Sequence, residues 1–165
     1  MQNSRHDSKI KKTKTEEDYN MFDWWKKANV GNYANFSGRS RRKEYWYSKL
    51  VEFILTFSFL IIMVILGVIF SSNDMTIGFL QIALIIMVIF YLYGIIPSLA
   101  AVARRLHDTG RSGTYYFLSF IPLVGPIILL IYLCEDSQPG TNKWGNNPKE
   151  NRIDEINEIG KEHEI

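Results

Sequence analysis

The chain holds a single cysteine, Cys134, in 165 residues. That excludes an internal disulfide and leaves a thiolate-ligated metal site short of ligands. Histidine is nearly as scarce. Of His6, His107 and His163, the first and last lie in polar terminal stretches, so no metal and no cofactor is expected. A net charge of +2 is too small to argue for nucleic acid as a partner. The first apolar run begins only after residue 49, so a cleavable N-terminal signal is not expected either.

Charge is also missing from the interior of the chain. Residues 53–70, 75–103 and 112–134 contain no Asp, Glu, Lys or Arg. The mean hydropathy of -0.07 conceals this segregation. Spanning hydrocarbon takes roughly 18–20 apolar residues, and the segments at 50–70 and 75–103 meet that length. Burial in a soluble core is the competing reading, but three such runs in a chain this small leave too little polar surface to cover them. The expected fold is therefore all-α: a polytopic helical membrane protein with two transmembrane helices and a third, proline-broken apolar segment at 112–134.

The flanks divide the rest. Residues 1–20 are polar, with four lysines followed by Glu16, Glu17 and Asp18, and read as a mobile tail. Residues 21–149 form the membrane domain, and 150–165 an acidic tail. Within the domain, residues 21–30 (MFDWWKKANV) suit a short helix in the membrane interface. Phe22, Trp25 and Asn29 would share one face, with Trp24 beside it. A short soluble helix packed on the domain is the alternative.

Two apolar segments carry helix irregularities. Pro97 cannot donate to the Tyr93 carbonyl, so a kink is expected there. Gly94 and Ser98, followed by Ala100, Ala101 and Ala103, make a small-residue surface for packing against a neighbouring helix. In the third segment, Pro122, Gly125 and Pro126 predict a break between Ile121 and Pro126. Its arms either run on as a kinked span or fold back as a re-entrant hairpin. The break is expected to face other helices, for which residues 94–103 are the candidate.

Lys and Arg mark the cytoplasmic side. Arg39, Arg41, Arg42, Lys43 and Lys49 precede the first segment, and Arg104, Arg105 and Arg111 follow the second. The polar turn at 71–74 has neither residue type. The N-terminus and the 104–111 loop are thus expected inside. Lys143, Lys149 and Arg152 favour the same side for the C-terminal segment, and hence the hairpin.

Three polar motifs remain. Residues 36–47 (FSGRSRRKEYWY) place arginines and then aromatics at the headgroup level, with Ser40 as a helix N-cap. Residues 104–113 (RRLHDTGRSG) read as a tight connection, with Gly110 ending one helix and Ser112 capping the next. His107 and Asp108 invite a catalytic reading, but a metal site needs more ligands and nothing near Ser112 resembles a nucleophile elbow. An ionic network of Glu52, His107 and Asp108 with the nearby cations is the better expectation. Glu52 lies about one turn inside the first segment, where an unpaired acid is costly. Residues 139–148 (PGTNKWGNNP) are rich in turn formers, and Trp144 is a headgroup anchor.

Together with IPLVG at 121–125, these motifs resemble the YhaH-like family of small bacterial inner-membrane proteins of unknown function. The resemblance covers residues 21–149. It implies a bacterial plasma membrane and no reaction. The leading functional expectation is a non-enzymatic membrane protein. Its candidate ligands for lipid headgroups or a membrane partner, which includes a second copy, are Arg39, Arg41, Arg42, Lys43, Arg104, Arg105 and Arg111. A small oligomeric transporter or channel subunit is the alternative.

Overall fold

A computed structural model of the chain describes residue 16, residues 18–70 and residues 76–149. Of the expected tail at 1–20, residues 1–15 and 17 lie outside the described residues, as do the expected tail at 150–165 and the polar turn at 71–74. The described elements are helical, with no strand among them.

Helix α1, Met21–Lys26, starts on a reciprocal cap. The Asp23 N–H donates to Asn20 Oδ1 and the Asn20 N–H to Asp23 Oδ2, both at 2.9 Å, which pairs two donors that a helix start leaves over. α1 passes into one π-helical turn, Lys27–Gly31. The widening has a local cause. Asn29 Nδ2 donates to the Trp25 carbonyl at 3.2 Å and to the Ser48 hydroxyl at 2.8 Å, taking an acceptor that the regular ladder would use. Trp24, Ala28 and Asn29 point inward, whereas Phe22 is exposed and stacks on Trp25 at 5.2 Å.

Helices α2, Arg42–Phe70, and α3, Thr76–Asp108, have 29 and 33 residues. At about 1.5 Å per residue both exceed the ~30 Å hydrocarbon core. They run antiparallel: Glu44 meets Arg104, Glu52 meets Ser98, and Gly67 lies beside Leu80. In the most apolar 18-residue stretch of α2 nothing is buried, and in that of α3 only 6% is. These helices therefore face lipid and are not a soluble core.

α3 continues without interruption through Pro97, whose ring is fully buried. The proline frees the Tyr93 carbonyl, and a residue distant in sequence takes it: Tyr33 donates its hydroxyl at 2.9 Å, with the two tyrosine rings 4.8 Å apart. Of the small residues, Ala100 and Ala101 are buried. Gly94 has open space around it.

α3 ends on Gly110 (φ 80). The Gly110 N–H donates to the His107 carbonyl and the Arg111 N–H to that of Leu106, at 3.1 and 2.9 Å. This is the double closure of a Schellman motif. Ser112 then caps as expected, its hydroxyl accepting from the Thr114 N–H, but the helix it starts is a 3₁₀ helix, Gly113–Phe120. The break follows at 121–123, and α4, Val124–Cys134, completes the segment.

The two arms fold back on each other. Tyr115 and Tyr132 are in ring contact at 6.0 Å, and Gly125 lies so close to the Leu118 carbonyl that no Cβ fits there. The arms match in reach: eight residues at about 2.0 Å and eleven at about 1.5 Å each give roughly 16 Å. That length is about half the ~30 Å thickness of a hydrocarbon core. It does not face other helices as expected. Leu123 at the tip is 85% exposed. Three of its N–H donors pair locally instead. Ile121 N–H bonds the Leu118 carbonyl, Val124 N–H that of Pro122, and Gly125 N–H that of Ile121. Pro122 and Pro126 bring no N–H at all. The Val124–Pro122 bond closes a γ-turn on Leu123 (φ 65, ψ -53), a strained conformation for a residue with a Cβ.

A small core of Tyr45, Ala101, Val102, Leu106, Leu129 and Leu133 joins α2, α3 and α4 at the end where the hairpin begins and returns.

The bond between Tyr33 and Tyr93 yields a quantitative expectation. Tyr33→Phe leaves a carbonyl unpaired and should cost about 1–2 kcal/mol. Restoring the N–H at position 97 with Pro97→Ala should shrink that cost to under about 0.5 kcal/mol, the signature of a coupled pair. Unfolding of the four proteins of this cycle in detergent micelles measures both. Equal costs in the two backgrounds would mean that the tyrosine hydroxyl does not serve the freed carbonyl.

Candidate functional site: a buried ionic junction

The three polar motifs meet at one end of the α2–α3 pair. At their centre is Asp108, with no exposed side-chain surface. Its Oδ1 accepts from Arg39 Nε at 3.0 Å. Its Oδ2 accepts from Arg105 and, at 2.6 Å, from the Ser137 hydroxyl. Its carbonyl accepts from the Gln138 N–H at 2.8 Å.

Each arginine then gathers carbonyls. Arg39 reaches those of Gly140 at 2.7 Å and Gly145 at 3.3 Å, and also that of Gln138. Arg105 donates to the carbonyls of Leu133 at 3.0 Å and Ser40 at 3.4 Å, and to that of Glu135. Leu133 is in the last turn of α4, so Arg105 supplies a cation and donors at a helix C-terminus. Loop 138–145 is closed by Asn142 and Gly145, which exchange both backbone bonds at 3.0 and 3.1 Å. Gly140 and Gly145 there have φ of 67° and 129°, values that a residue with a Cβ rarely takes.

His107 joins by a different route than the expected ionic one. Its Nδ1 lies 3.2 Å from the Gly38 carbonyl, and its ring stacks on Trp144 at 4.4 Å and 10°. Among the described residues it makes no ion pair. Trp144 thereby packs within the junction on His107.

A second cluster adjoins the first. Glu44 is buried between Arg104 at 2.9 Å and Lys27 at 3.0 Å. Lys27 also binds Glu16 at 2.5 Å, and Arg41 binds Glu16 and the Pro148 carbonyl, the latter at 2.9 Å. Lys27 and Arg41 both lie 5.3 Å from the Trp24 ring, within cation–π range. Burial alone would lower the pKa of Lys27, but Glu44 and Glu16 outweigh it and raise the ammonium above the usual lysine value. Near the surface, Asp136 pairs with Arg42 at 3.3 Å and with Lys149. The hydrogen bond from Lys149, then that from the Ser137 N–H, holds its carboxyl below the usual range.

The expected site residues thus divide. Arg39, Arg104 and Arg105 are buried and bound to internal acids and carbonyls. Arg41 is mostly covered, and Arg111 makes a two-point pair with Glu135 at 2.5 and 3.0 Å over the Tyr132 ring. Arg42 and Lys43 face outward. Glu52 pairs with Lys49 at 2.8 Å, which also holds Ser98. The Ser40 hydroxyl does not cap α2 and has no partner among the described residues. The helix starts two residues later, and Ser40 instead pairs its N–H with the Arg104 carbonyl.

Sequence reasoning missed Glu44, Lys27 and Ser137. A signal for the first was there. Glu44, Ser48 and Glu52 recur every fourth residue, which puts one polar stripe on a single face of α2.

The family follows from comparison. A model described as "Protein of unknown function (DUF805)" matches residues 33–146. The chain belongs to this family. Escherichia coli K12 "Inner membrane protein YhaI" is 38% identical over 125 residues, 76% of this chain and 95% of the relative. "Inner membrane protein YhaH" of the same strain is 37% identical over 130 residues, 77% and 97% of the two chains. No solved structure gives a significant match. The matched stretch takes in the first two motifs whole and residues 139–146 of the third, and this DUF805 member is a helical membrane protein.

Two charge removals, one of an acid and one of a base, should separate buried from exposed pairing. Asp108→Asn leaves Arg39 and Arg105 buried without their countercharge and should cost about 3–5 kcal/mol. Arg111→Gln breaks a partly exposed pair and should cost under about 1 kcal/mol. Chemical unfolding of the purified protein in micelles compares them. Similar small losses for both would show that the junction is solvated.

Proposed function

We propose that the protein is a multi-pass, non-enzymatic inner-membrane protein whose N-terminus, 104–111 loop and C-terminal segment face the cytoplasm, where an exposed basic rim binds anionic lipid headgroups. The observation that carries this reading is the convergence of segments 37–43, 104–111 and 135–149 at one end of the helix pair. The first two are rich in Lys and Arg, the residues that favour the cytoplasmic side, and the third adds Lys143 and Lys149. The hairpin, re-entering from that end and returning to it, brings the C-terminal segment to the same side.

The rim is narrower than the list of basic residues in the motifs. With the arginines of the junction engaged internally, Lys26, Arg42, Lys43 and Lys143 are the exposed cations among the described residues. Each exposed cation at an anionic surface contributes about 1 kcal/mol. The non-enzymatic reading draws support from Asp108: the acid of the His-Asp pair is held by two guanidinium groups and a hydroxyl and has no exposed side-chain surface at which a substrate could meet it.

Topology is tested by labelling with an impermeant thiol reagent in a Cys134→Ser background. Cysteine placed at Asn73 should react in intact cells, and cysteine placed at Ser37 or Thr141 only after permeabilisation. Reaction of the Thr141 site in intact cells would refute the re-entrant hairpin.

Lipid binding is read by co-purification. Neutralising the rim with Lys26→Gln, Lys43→Gln and Lys143→Gln should reduce retained anionic lipid several-fold per charge, since about 1 kcal/mol corresponds to roughly fivefold. Unchanged lipid with loss of a co-purifying protein would assign the rim to a protein partner instead.

A further inference from the structure

A cavity of about 350 Å³ lies between the π-helical turn, α2 and α3. Its wall is mostly apolar, with Thr56, Met87, Phe90 and Gly94 along its length, and Glu52 and Ser98 are also in its lining. On the antiparallel α3, Phe90 and Met87 lie about 12 and 16 Å below Ser98 at 1.5 Å per residue. Glu52 stands immediately before the uncharged stretch of α2, the level where headgroups give way to hydrocarbon. Its Oε2 is held by Lys49 at 2.8 Å and faces the Ser98 hydroxyl at 3.3 Å. Its Oε1 is buried and has no partner among the described residues.

A buried carboxylate oxygen without a donor is costly, and a donor from outside the chain would satisfy it. Beside it is a cation with capacity left over. Lys49 uses two of its three N–H donors, on Glu52 and Ser98. An acceptor and a donor of opposite charge, side by side at the mouth of an apolar slot, complement a headgroup that carries both signs. We propose that this cavity binds one acyl chain of a phospholipid with a primary ammonium headgroup, the ammonium donating to Glu52 Oε1 and the phosphate accepting from Lys49. The volume admits one chain, and the second lies along the exposed helix surface.

The competitor that decides the matter is the trimethylated headgroup. It has the same charges and no N–H, so it cannot satisfy Glu52. It would, however, find favourable contact with the rings of Trp25, Tyr91 and Tyr116, which also line the cavity. The site is separate from the lysine rim and rests only on the membrane placement of the helices.

The test uses the full-length protein, delipidated in detergent and offered an equimolar mixture of phosphatidylethanolamine, phosphatidylcholine and phosphatidylglycerol with identical chains. Native mass spectrometry reads the bound lipid. A charge-assisted hydrogen bond present in one complex and absent in the other should favour phosphatidylethanolamine over phosphatidylcholine about tenfold. Glu52→Gln should reduce that preference to about twofold or less, since the charge is lost and only a neutral acceptor remains. Gly94→Leu leaves Glu52 untouched and places a side chain where Gly94 has open space, so it should abolish retention of the single preferred lipid. Equal binding of the ethanolamine and choline lipids overturns the proposal. So does wild-type retention in Gly94→Leu. A preference for phosphatidylglycerol that the rim substitutions remove and Gly94→Leu does not would leave the rim as the lipid site and eliminate this one.

Discussion

Asp108 has no exposed surface and holds two guanidinium groups, and most of the polar end of the molecule is arranged around that contact. Arg39 comes from the strand of chain before α2, Arg105 from α3 itself, and Ser137 from the segment after α4. Through the carbonyls that the arginines collect, one carboxylate ties together the entry to α2, the end of α3, the end of α4 and loop 138–145. Charges taken out of water this way are expensive, and their mutual attraction offsets the expense only when the remaining hydrogen-bonding capacity is also filled. The carbonyls of Leu133, Glu135, Gln138, Gly140 and Gly145 do that filling. They are groups that turns and a helix end leave over, so the same donors close two accounts of unpaired polarity at once.

The apolar end obeys a different constraint. In hydrocarbon every N–H needs an acceptor nearby. α2 and α3 meet this internally over their length, and the one carbonyl that Pro97 releases is taken by Tyr33. The hairpin meets it by having few donors to place. Two prolines remove N–H groups at the tip, and short bonds within the turn take those of Ile121, Val124 and Gly125. The positive φ of Leu123 is the strain that this arrangement carries. A glycine there would relax the backbone but would present no side chain to the lipid that surrounds an 85% exposed tip.

How far these features were legible in the sequence depends on their range. Uncharged length alone identifies α2 and α3. The break at 121–126 follows from proline chemistry, and the end of α3 at Gly110 from the need for a positive φ. What was not legible is partnership across long separations. Arg39 and Asp108 are 69 residues apart, and the sequence equally well allows both to face solvent. The basic motifs therefore read as a surface for lipid, when most of their arginines are internal. The single 3₁₀ arm was hidden for another reason. Nothing in GTYYFLSF forbids an α-helix; the tighter winding rises further per residue and lets eight residues match the reach of an eleven-residue α4.

The two constraints together account for the shape of the chain. A hairpin about 16 Å long sets two further segments beside the junction end of the α2–α3 pair, where α1 and the π-helical turn already pack. The hairpin has little of its own to hold it. Its arms are short, its outer face is exposed to lipid, and its tip is strained. Its base, by contrast, is fixed on both sides: Gly113 sits against Ala103, and Leu133 and Glu135 are bound by Arg105. Lipid supplies no hydrophobic drive for one apolar segment to prefer another. The position of the hairpin must then come from its polar ends, which is a physical reason for a small membrane protein to bury so many charges at one end and to leave the rest of its length nearly bare.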